Sequence, residues 1–472
     1  MEKKNTWETY SSKQLKELEK INAQYRDFLD NGKTERECID TIVNTIEKSG
    51  YRELESLIKE GAALKTGDKV YSVWMNKSIA MFQIGRKPMT EGMNILGAHI
   101  DSPRLDVKQN PLYEDGGFAY LDTHYYGGVK KYQWVTIPLA IHGVIVKKDG
   151  TCVEINIGEN EDDPVFFVSD LLIHLAQEQL EKKAAKVIEG EALDIIVGNK
   201  PLLIDKKDKK KDEKDAGKEV VKAGVLDILK ENYDIHEEDF VSAELEIVPA
   251  GKAREAGFDR SMILAYGQDD RVCAYTSMQA MLDSDVTDRT MCCILVDKEE
   301  IGSVGATGMQ SHFFENAVAE VMNLTGEYSE LHVRRCLAHS CMLSSDVSSA
   351  FDPTYASSFD KKNVAYLGGG MVINKFTGAR GKSGSNDANA EYLAHLRHIF
   401  DKAEVNFQTA ELGKVDLGGG GTIAYILALY GMNVIDSGVA VLNMHAPWEA
   451  TSKADVYETY RGYKAFVEGA SL

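Results

Sequence analysis

Three short apolar runs in this chain each lead into a histidine or a pair of acids, and that pattern constrains the fold more than any other feature. Ile95-Leu96 runs towards His99, Cys292 to Val296 runs towards Glu299-Glu300, and Val439 to Leu442 runs towards His445. Short apolar runs bounded by turn residues read as buried strands. In open α/β sheets, sites form beyond the carboxyl ends of the strands. The chain therefore reads as a sheet whose strand ends converge on acid and imidazole.

The remaining patterns fit such a sheet. Apolar spacing over 13–29 predicts a helix, and Thr34 with Glu37 predicts a capping box opening a second helix that runs to about Lys48. Strands are expected at 70–75, 78–84 and 93–99, then at 291–296, 362–366, 371–375 and 438–443. Helices are expected at 270–283, 386–402, 421–431 and 453–468. The alternation predicts an α/β fold with a mixed, mostly parallel sheet and helices on both faces. From 106 to 245 the character changes. Gly-Gly and Asp-Gly turns punctuate short strands such as 140–147 and 152–157, and a helix over 168–186 is expected with Leu171, Leu172, Leu175 and Leu180 on its apolar side. The expected organisation is a catalytic domain of 1–105 and 246–472 interrupted by a β-rich insertion, 106–245. Within the insertion, 205–219 has almost no apolar residue and reads as an exposed flexible loop.

Composition narrows the function. The 472 residues carry 54 basic and 74 acidic side chains, a net charge of −20, which disfavours nucleic acid as a partner. The apolar runs near 137–146 and 422–435 are interrupted by His142 and Gly431, short of the ~18–20 residues a membrane helix needs. No apolar signal core follows Met1, and the seven cysteines are scattered without a Cys-x-x-Cys pair, so a reducing cytoplasm is the expected setting.

Five segments carry candidate chemistry. In Gly97-Ala98-His99-Ile100-Asp101, Asp101 is placed to orient the His99 imidazole, although a structural histidine is the competing reading. Asp269-Asp270 opens a helical pattern, where it is either a first-turn carboxylate pair or a ligand. Glu299 and Glu300 follow a buried strand, so one can face a metal while its neighbour reaches a bound water. Asp346 sits in a loop of small residues, and His445 follows the last apolar strand. Together these supply oxygen and imidazole donors without thiolate, suited to Zn²⁺, Mn²⁺ or Co²⁺. Gly381-Lys382-Ser383 lacks the earlier glycine of a phosphate loop, since Phe376 stands there. Lys382 is then a surface residue or a substrate contact. The N–H groups of Gly418 to Gly421 either hold a substrate oxygen or mark a tight strand-to-helix turn, and His124 is a strand-surface residue or reaches a neighbouring subunit.

Gly97-Ala98-His99-Ile100-Asp101-Ser102-Pro103, Gln268-Asp269-Asp270-Arg271, Asp297 to Ser303, Ser344 to Val347 and Asn443 to Glu449 resemble, in order and spacing, the signature blocks of the aminopeptidase I (aspartyl aminopeptidase) family of dinuclear zinc exopeptidases. The resemblance spans essentially the whole chain. It implies that His99 and Asp346 bind one metal, Glu300 and His445 the other, and that Asp269 bridges them. It implies Glu299 as general base, with Asp101 behind His99. It implies two divalent ions per subunit, zinc first with cobalt or manganese as substitutes, peptides with a free N-terminus as substrates, and a homo-oligomer, typically a tetrahedral dodecamer. The chain departs from eukaryotic members at Ser349 and Asp352, where they carry histidine, and over Trp134 to Pro138, where they carry Trp-Phe-Asp-Arg-Asp. Their lysine for acidic side chains matches Asn374, with Lys375 next door. Lys375, Lys382, Gly420 and His124 are the candidate substrate contacts. The competing functions are a catalytically silent peptide- or metal-binding scaffold and an amidase or deacylase on the same centre.

Overall fold

A computed structural model describes residues 5–202 and 219–471. By contacts the chain divides into two units. The first comprises residues 1–102, 253–444 and 448–472, and the second 103–252 with 445–447.

The first unit is built on a nine-stranded sheet. Its spatial order is Arg52–Glu53, Lys69–Trp74, Ser78–Gln83, Thr290–Val296, Met93–His99, Cys341–Ser345, Asn433–Gly438, Met371–Asn374 and Phe407–Thr409. The four central strands, from Thr290–Val296 to Asn433–Gly438, run parallel to one another, and the outer two of them pair antiparallel with Ser78–Gln83 and Met371–Asn374. Strands buried on both faces need continuous apolar sequence. Met93–His99 is apolar before His99 except for Asn94, whose Nδ2 donates to the Val467 and Ala470 carbonyls: Leu96 packs into one cluster with Tyr275, Tyr392 and Tyr463, while Ile95 on the opposite face joins another with Val318, Val333 and Leu427. Helices Ser12–Asn31, Glu35–Glu47, Gln268–Leu282, Ala390–Lys402 and Lys453–Gly469 cover the first face. Leu54–Glu60, Phe313–Leu324, Glu330–Ala338 and Ala424–Ala428 cover the second. This is the α/β class, with helices on both faces, that the apolar spacing predicts. A smaller five-stranded sheet, which includes Met262–Ala265, Ala440–Leu442 and Glu449–Ser452, completes the unit.

The capping box forms as expected. Thr34 Oγ1 accepts the Glu37 N–H at 3.3 Å, and Glu37 Oε2 accepts the Thr34 N–H at 3.1 Å. Thr34→Ala is expected to cost about 1 kcal/mol in denaturant unfolding and Thr34→Ser much less; equal losses would show that the methyl group, and not the hydroxyl, stabilises this helix.

The second unit holds a six-stranded sheet in the order Cys152–Ile157, Leu139–Val146, Ala243–Pro249, Arg104–Asp115, Phe118–Tyr126 and Ile195–Gly198. All its pairings are antiparallel.

Several expectations change. The helix over 168–186 is replaced by single turns at Ile173–Leu175, Gln177–Leu180 and Ala184–Val187. Leu171, Leu172, Leu175 and Leu180 are exposed, and an isolated helix without a packed face is marginal in water. Residues 362–366 form only a bridge between Ala365 and Ala350. The strand expected at 438–443 is the shorter Ala440–Leu442, Asn433–Gly438 is a strand that the pattern does not predict, and the helix at 421–431 shrinks to Ala424–Ala428. Of the charged run 205–219, residues 205–218 lie outside the described residues. Among the described residues, no helix is long and apolar enough to cross a membrane.

Candidate metal centre

The site grows out of three adjacent parallel strands. Register pairs His99, the last residue of Met93–His99, with Val296, the last of Thr290–Val296. The turn bearing Glu299 and Glu300 therefore leaves the sheet beside His99. Asp346 follows Cys341–Ser345, the strand on the other side. The fourth contribution comes from the start of helix Gln268–Leu282, where the Asp269–Asp270 peptide is cis. Gly267, just before it, has φ +70° and is packed so tightly that a Cβ would overlap the Arg271 guanidinium, so glycine is required there on two counts.

His99, Asp269 and Asp346 each offer a ligand atom, and the three atoms lie within 4.8 Å of one another. His99 Nε2 is 3.3 Å from Asp269 Oδ1 and 3.9 Å from Glu299 Oε2. The carboxylates of Asp269 and Glu300 also approach within 4.8 Å. Asp101 organises this group from behind. Its Oδ1 is 3.2 Å from His99 Nδ1, and its two oxygens accept the backbone N–H groups of Glu299 and Glu300, each at 3.1 Å.

Burial makes these charges expensive to leave alone. It pushes the Asp346 carboxyl well above the usual carboxylate range, and the negative charges of Glu299 and Asp270 push it further. Burial does the same to Asp270, with Asp269 adding to it and His99 partly offsetting. Burial opposes protonation of His99, but Asp101, Asp269 and Glu299 outweigh it and hold its pKa well above that of a free imidazole. Converging buried carboxylates around an imidazole that is itself held from behind fit a divalent cation, and a nitrogen–oxygen donor set without sulfur fits zinc.

His445 lies in the 445–447 segment that groups with the second unit. It adopts φ +65°, and its Nδ1 is 2.9 Å from the Gly128 carbonyl oxygen. His124 also lies in the second unit, exposed on the strand Phe118–Tyr126. Lys375 and Lys382 are exposed and share Asp387, at 4.0 and 2.8 Å. The glycine run corrects one expectation: the N–H groups of Gly418 and Gly420 donate to the carbonyls of Lys414 and Thr377, at 2.7 and 3.2 Å. Those two donors are committed to the turn, and a Cβ on Gly418 would overlap the Leu412 carbonyl oxygen. Tight packing is the reading this supports.

Sequence reasoning missed three supporting residues. Glu449 Oε2 accepts the Asp269 N–H at 3.0 Å, Ser102 Oγ donates to the Asp269 carbonyl at 2.6 Å, and Asp270 Oδ2 accepts the His99 N–H at 3.4 Å. Each lies inside a quoted block, but its role runs through another segment's backbone, so spacing carries no trace of it.

A mixed sheet whose parallel central strands end among buried carboxylates and an imidazole defines an α/β protein with a candidate metal centre. The comparisons give the family. The aminopeptidase I zinc metalloprotease (M18) model matches residues 28–467, and the chain belongs to that family. A Clostridium acetobutylicum protein named "Probable M18 family aminopeptidase 1" is 63% identical over 466 residues, covering 99% of this chain and 98% of that one. The crystal structure of an M18 aminopeptidase from Thermotoga maritima has a TM-score of 0.93 at 44% identity and covers 100% of both chains. That of aminopeptidase I from Clostridium acetobutylicum has a TM-score of 0.90 at 60% identity over 99% of each.

Proposed function

We propose that this protein is a two-metal zinc aminopeptidase that removes the N-terminal residue from short peptides, with Glu299 as general base. The observation that carries the reading is the meeting of His99, Asp269 and Asp346 ligand atoms within 4.8 Å, with Glu299 beside His99. His99 and Asp346 would hold one ion and Glu300 and His445 the other, with Asp269 common to both. Bound zinc would polarise the scissile carbonyl and lower the pKa of a water towards about 7.

The chain's own residues do the rest. Glu299 accepts the proton of the attacking water and delivers it to the leaving amine. Asp101 keeps the imidazole of His99 oriented while fixing the turn that carries Glu299, so acceptor and ligand stay in register. Glu449, through the Asp269 N–H, holds the shared carboxylate in place. A panel of aminoacyl-anilides tests the activity: release of anilide from a free amino terminus, absent with an N-acetylated substrate, is expected. Release from the acetylated substrate would favour an amidase or deacylase.

The second unit serves assembly, the protein works as a homo-oligomer on the tetrahedral dodecamer plan, and its setting is the cytoplasm. Terminal-residue preference is expected not to be strictly acidic. Asn374, where an acid-binding lysine is expected, is buried and donates from Nδ2 to Ser348 Oγ at 3.3 Å. Lys382, further along the chain, already neutralises Asp387 at 2.8 Å. Neutral residues should be cleaved at least as fast as Asp or Glu in the same panel. A strong Asp/Glu preference would overturn this and point to Lys375, Arg380 or Lys382.

A further inference from the structure

A carboxylic acid stands inside the large sheet where stability alone does not ask for one. Asp436, on the strand Asn433–Gly438, is 2% exposed. Val434, on the same face of that strand, packs in an apolar cluster with Ile423 and Leu427. Asp436 Oδ1 accepts the Thr422 hydroxyl at 2.5 Å, while Oδ2, also buried, has no hydrogen-bond partner among the described residues. A buried polar atom without a partner costs stability, and an apolar side chain would avoid that cost. Burial pushes the carboxyl up to about 7, against the pull of the Thr422 hydroxyl and with a further push from the charge of Glu299. A neutral amide of the same shape therefore reproduces its protonated form.

Register places this acid close to the proposed reaction. Gly97, Ser344 and Asp436 form one row across three parallel strands, two residues before His99 on the first and Asp346 on the second. Ile423, next to Thr422, covers Gly97, where a Cβ would lie 3.6 Å from Ile423 Cδ1. Thr422 in turn closes the glycine run 418–421. The fold accounts for the first two of those glycines: a Cβ on Gly418 would overlap the Leu412 carbonyl oxygen, and Gly419 has φ +113° with the Ala379 backbone against it. It does not account for Gly420 and Gly421. Neither has a left-handed φ, and a Cβ on either would meet nothing within 4 Å. Bare backbone beside open space lets another main chain approach closely. Among the described residues, the Thr422–Asp436 bond is the one hydrogen bond by which residues 421–423 reach another segment. Without it, hydrogen bonds fix the turn only as far as Gly420, which donates to the Thr377 carbonyl oxygen.

We propose that Asp436 is a positioning residue for the hydrolysis: through the Thr422 hydroxyl it holds Gly420–Gly421 in place as the surface on which the main chain of the bound peptide rests. The proposal rests on the aminopeptidase reading and adds to it an element that seats the substrate.

Steady-state kinetics on an alanine anilide and on trialanine separate this role from a merely structural one. A variant that only loosens the fold lowers the active fraction, so kcat falls and KM stays. Asp436→Ala and Thr422→Val should instead raise KM about fivefold or more, with kcat within about two-fold of wild type. The double variant should be no worse than either single one, because both remove the same bond. Asp436→Asn keeps the accepting oxygen and Thr422→Ser the hydroxyl, so each should restore the wild-type KM. Should Asp436→Ala fail to fold, Thr422→Val breaks the same bond from its less buried side and carries the same expectation. Gly421→Ala adds a methyl group in open space, so its melting curve should stay in place while KM rises as in Thr422→Val. Amide hydrogen exchange over 418–424 should quicken in Thr422→Val and not in Gly421→Ala. Lower kcat at unchanged KM in Thr422→Val, additive losses in the double variant, or an unchanged KM in Gly421→Ala overturns the proposal. A wild type that cleaves neither substrate sinks the aminopeptidase reading together with it, whereas an active wild type with indifferent variants sinks only the role of Asp436.

Discussion

Glu299→Gln is expected to keep its metal and lose turnover by a factor of about 10²–10⁴, the usual worth of a general base. Glutamine retains the volume and a hydrogen-bonding oxygen but cannot carry the proton to the leaving amine. The turn should not move, because the N–H groups at 299 and 300 are held by Asp101 through the backbone, which the substitution does not touch. Glu300→Gln should behave differently. Its carboxylate lies within 4.8 Å of the Asp269 carboxylate, so a neutral amide there weakens one metal site first. Activity should then return in part at high zinc concentration. The two residues are identical and adjacent, so general destabilisation would strike both alike. Metal content and kcat measured for each variant decide the matter: metal loss in Glu299→Gln, or tight retention of both ions in Glu300→Gln, reverses the assignment.

Stripping the metal with a chelator is expected to abolish activity, and Zn²⁺, Co²⁺ or Mn²⁺ to restore it. The melting temperature should fall in parallel. Without a cation, Asp269 and Asp346 face each other within 4.8 Å inside a site where burial already penalises the Asp346 charge. A ligand that binds only the folded state stabilises it by RT ln(1 + [L]/Kd), about 4 kcal/mol at a thousand times Kd. The melt and the activity should therefore recover together as zinc is added back. Full activity in metal-free protein would refute the two-metal reading. Recovery of stability without activity would separate the ligand set from the base.

Much of this was legible in the chain, for identifiable reasons. Thr290–Val296 is apolar throughout after its first residue and Met93–His99 is broken before His99 only by Asn94, and their order in the sheet puts His99 beside the Glu299 turn. The helix expected over 168–186 failed because leucine spacing records a potential face and says nothing of whether a core lies opposite. Asn433–Gly438 was hidden by Asp436, Ser437 and Gly438, polar or small residues within a buried strand. Asp436 is accommodated there by the Thr422 hydroxyl at 2.5 Å, a partner on a different segment. The blocks bearing His99, Asp269, Glu299, Glu300 and Asp346 were visible because these residues stand at strand ends and at a helix start. Glu449 and Ser102 were not, since a side chain serving a distant backbone group obeys no local period.

The Asp101 carboxylate touches an imidazole and two successive peptide N–H groups at once, and so fastens together the ends of two neighbouring strands. Whatever parts those two ends separates His99 from Glu299 at the same step, so thermal inactivation is expected to follow one cooperative transition and not a gradual decline.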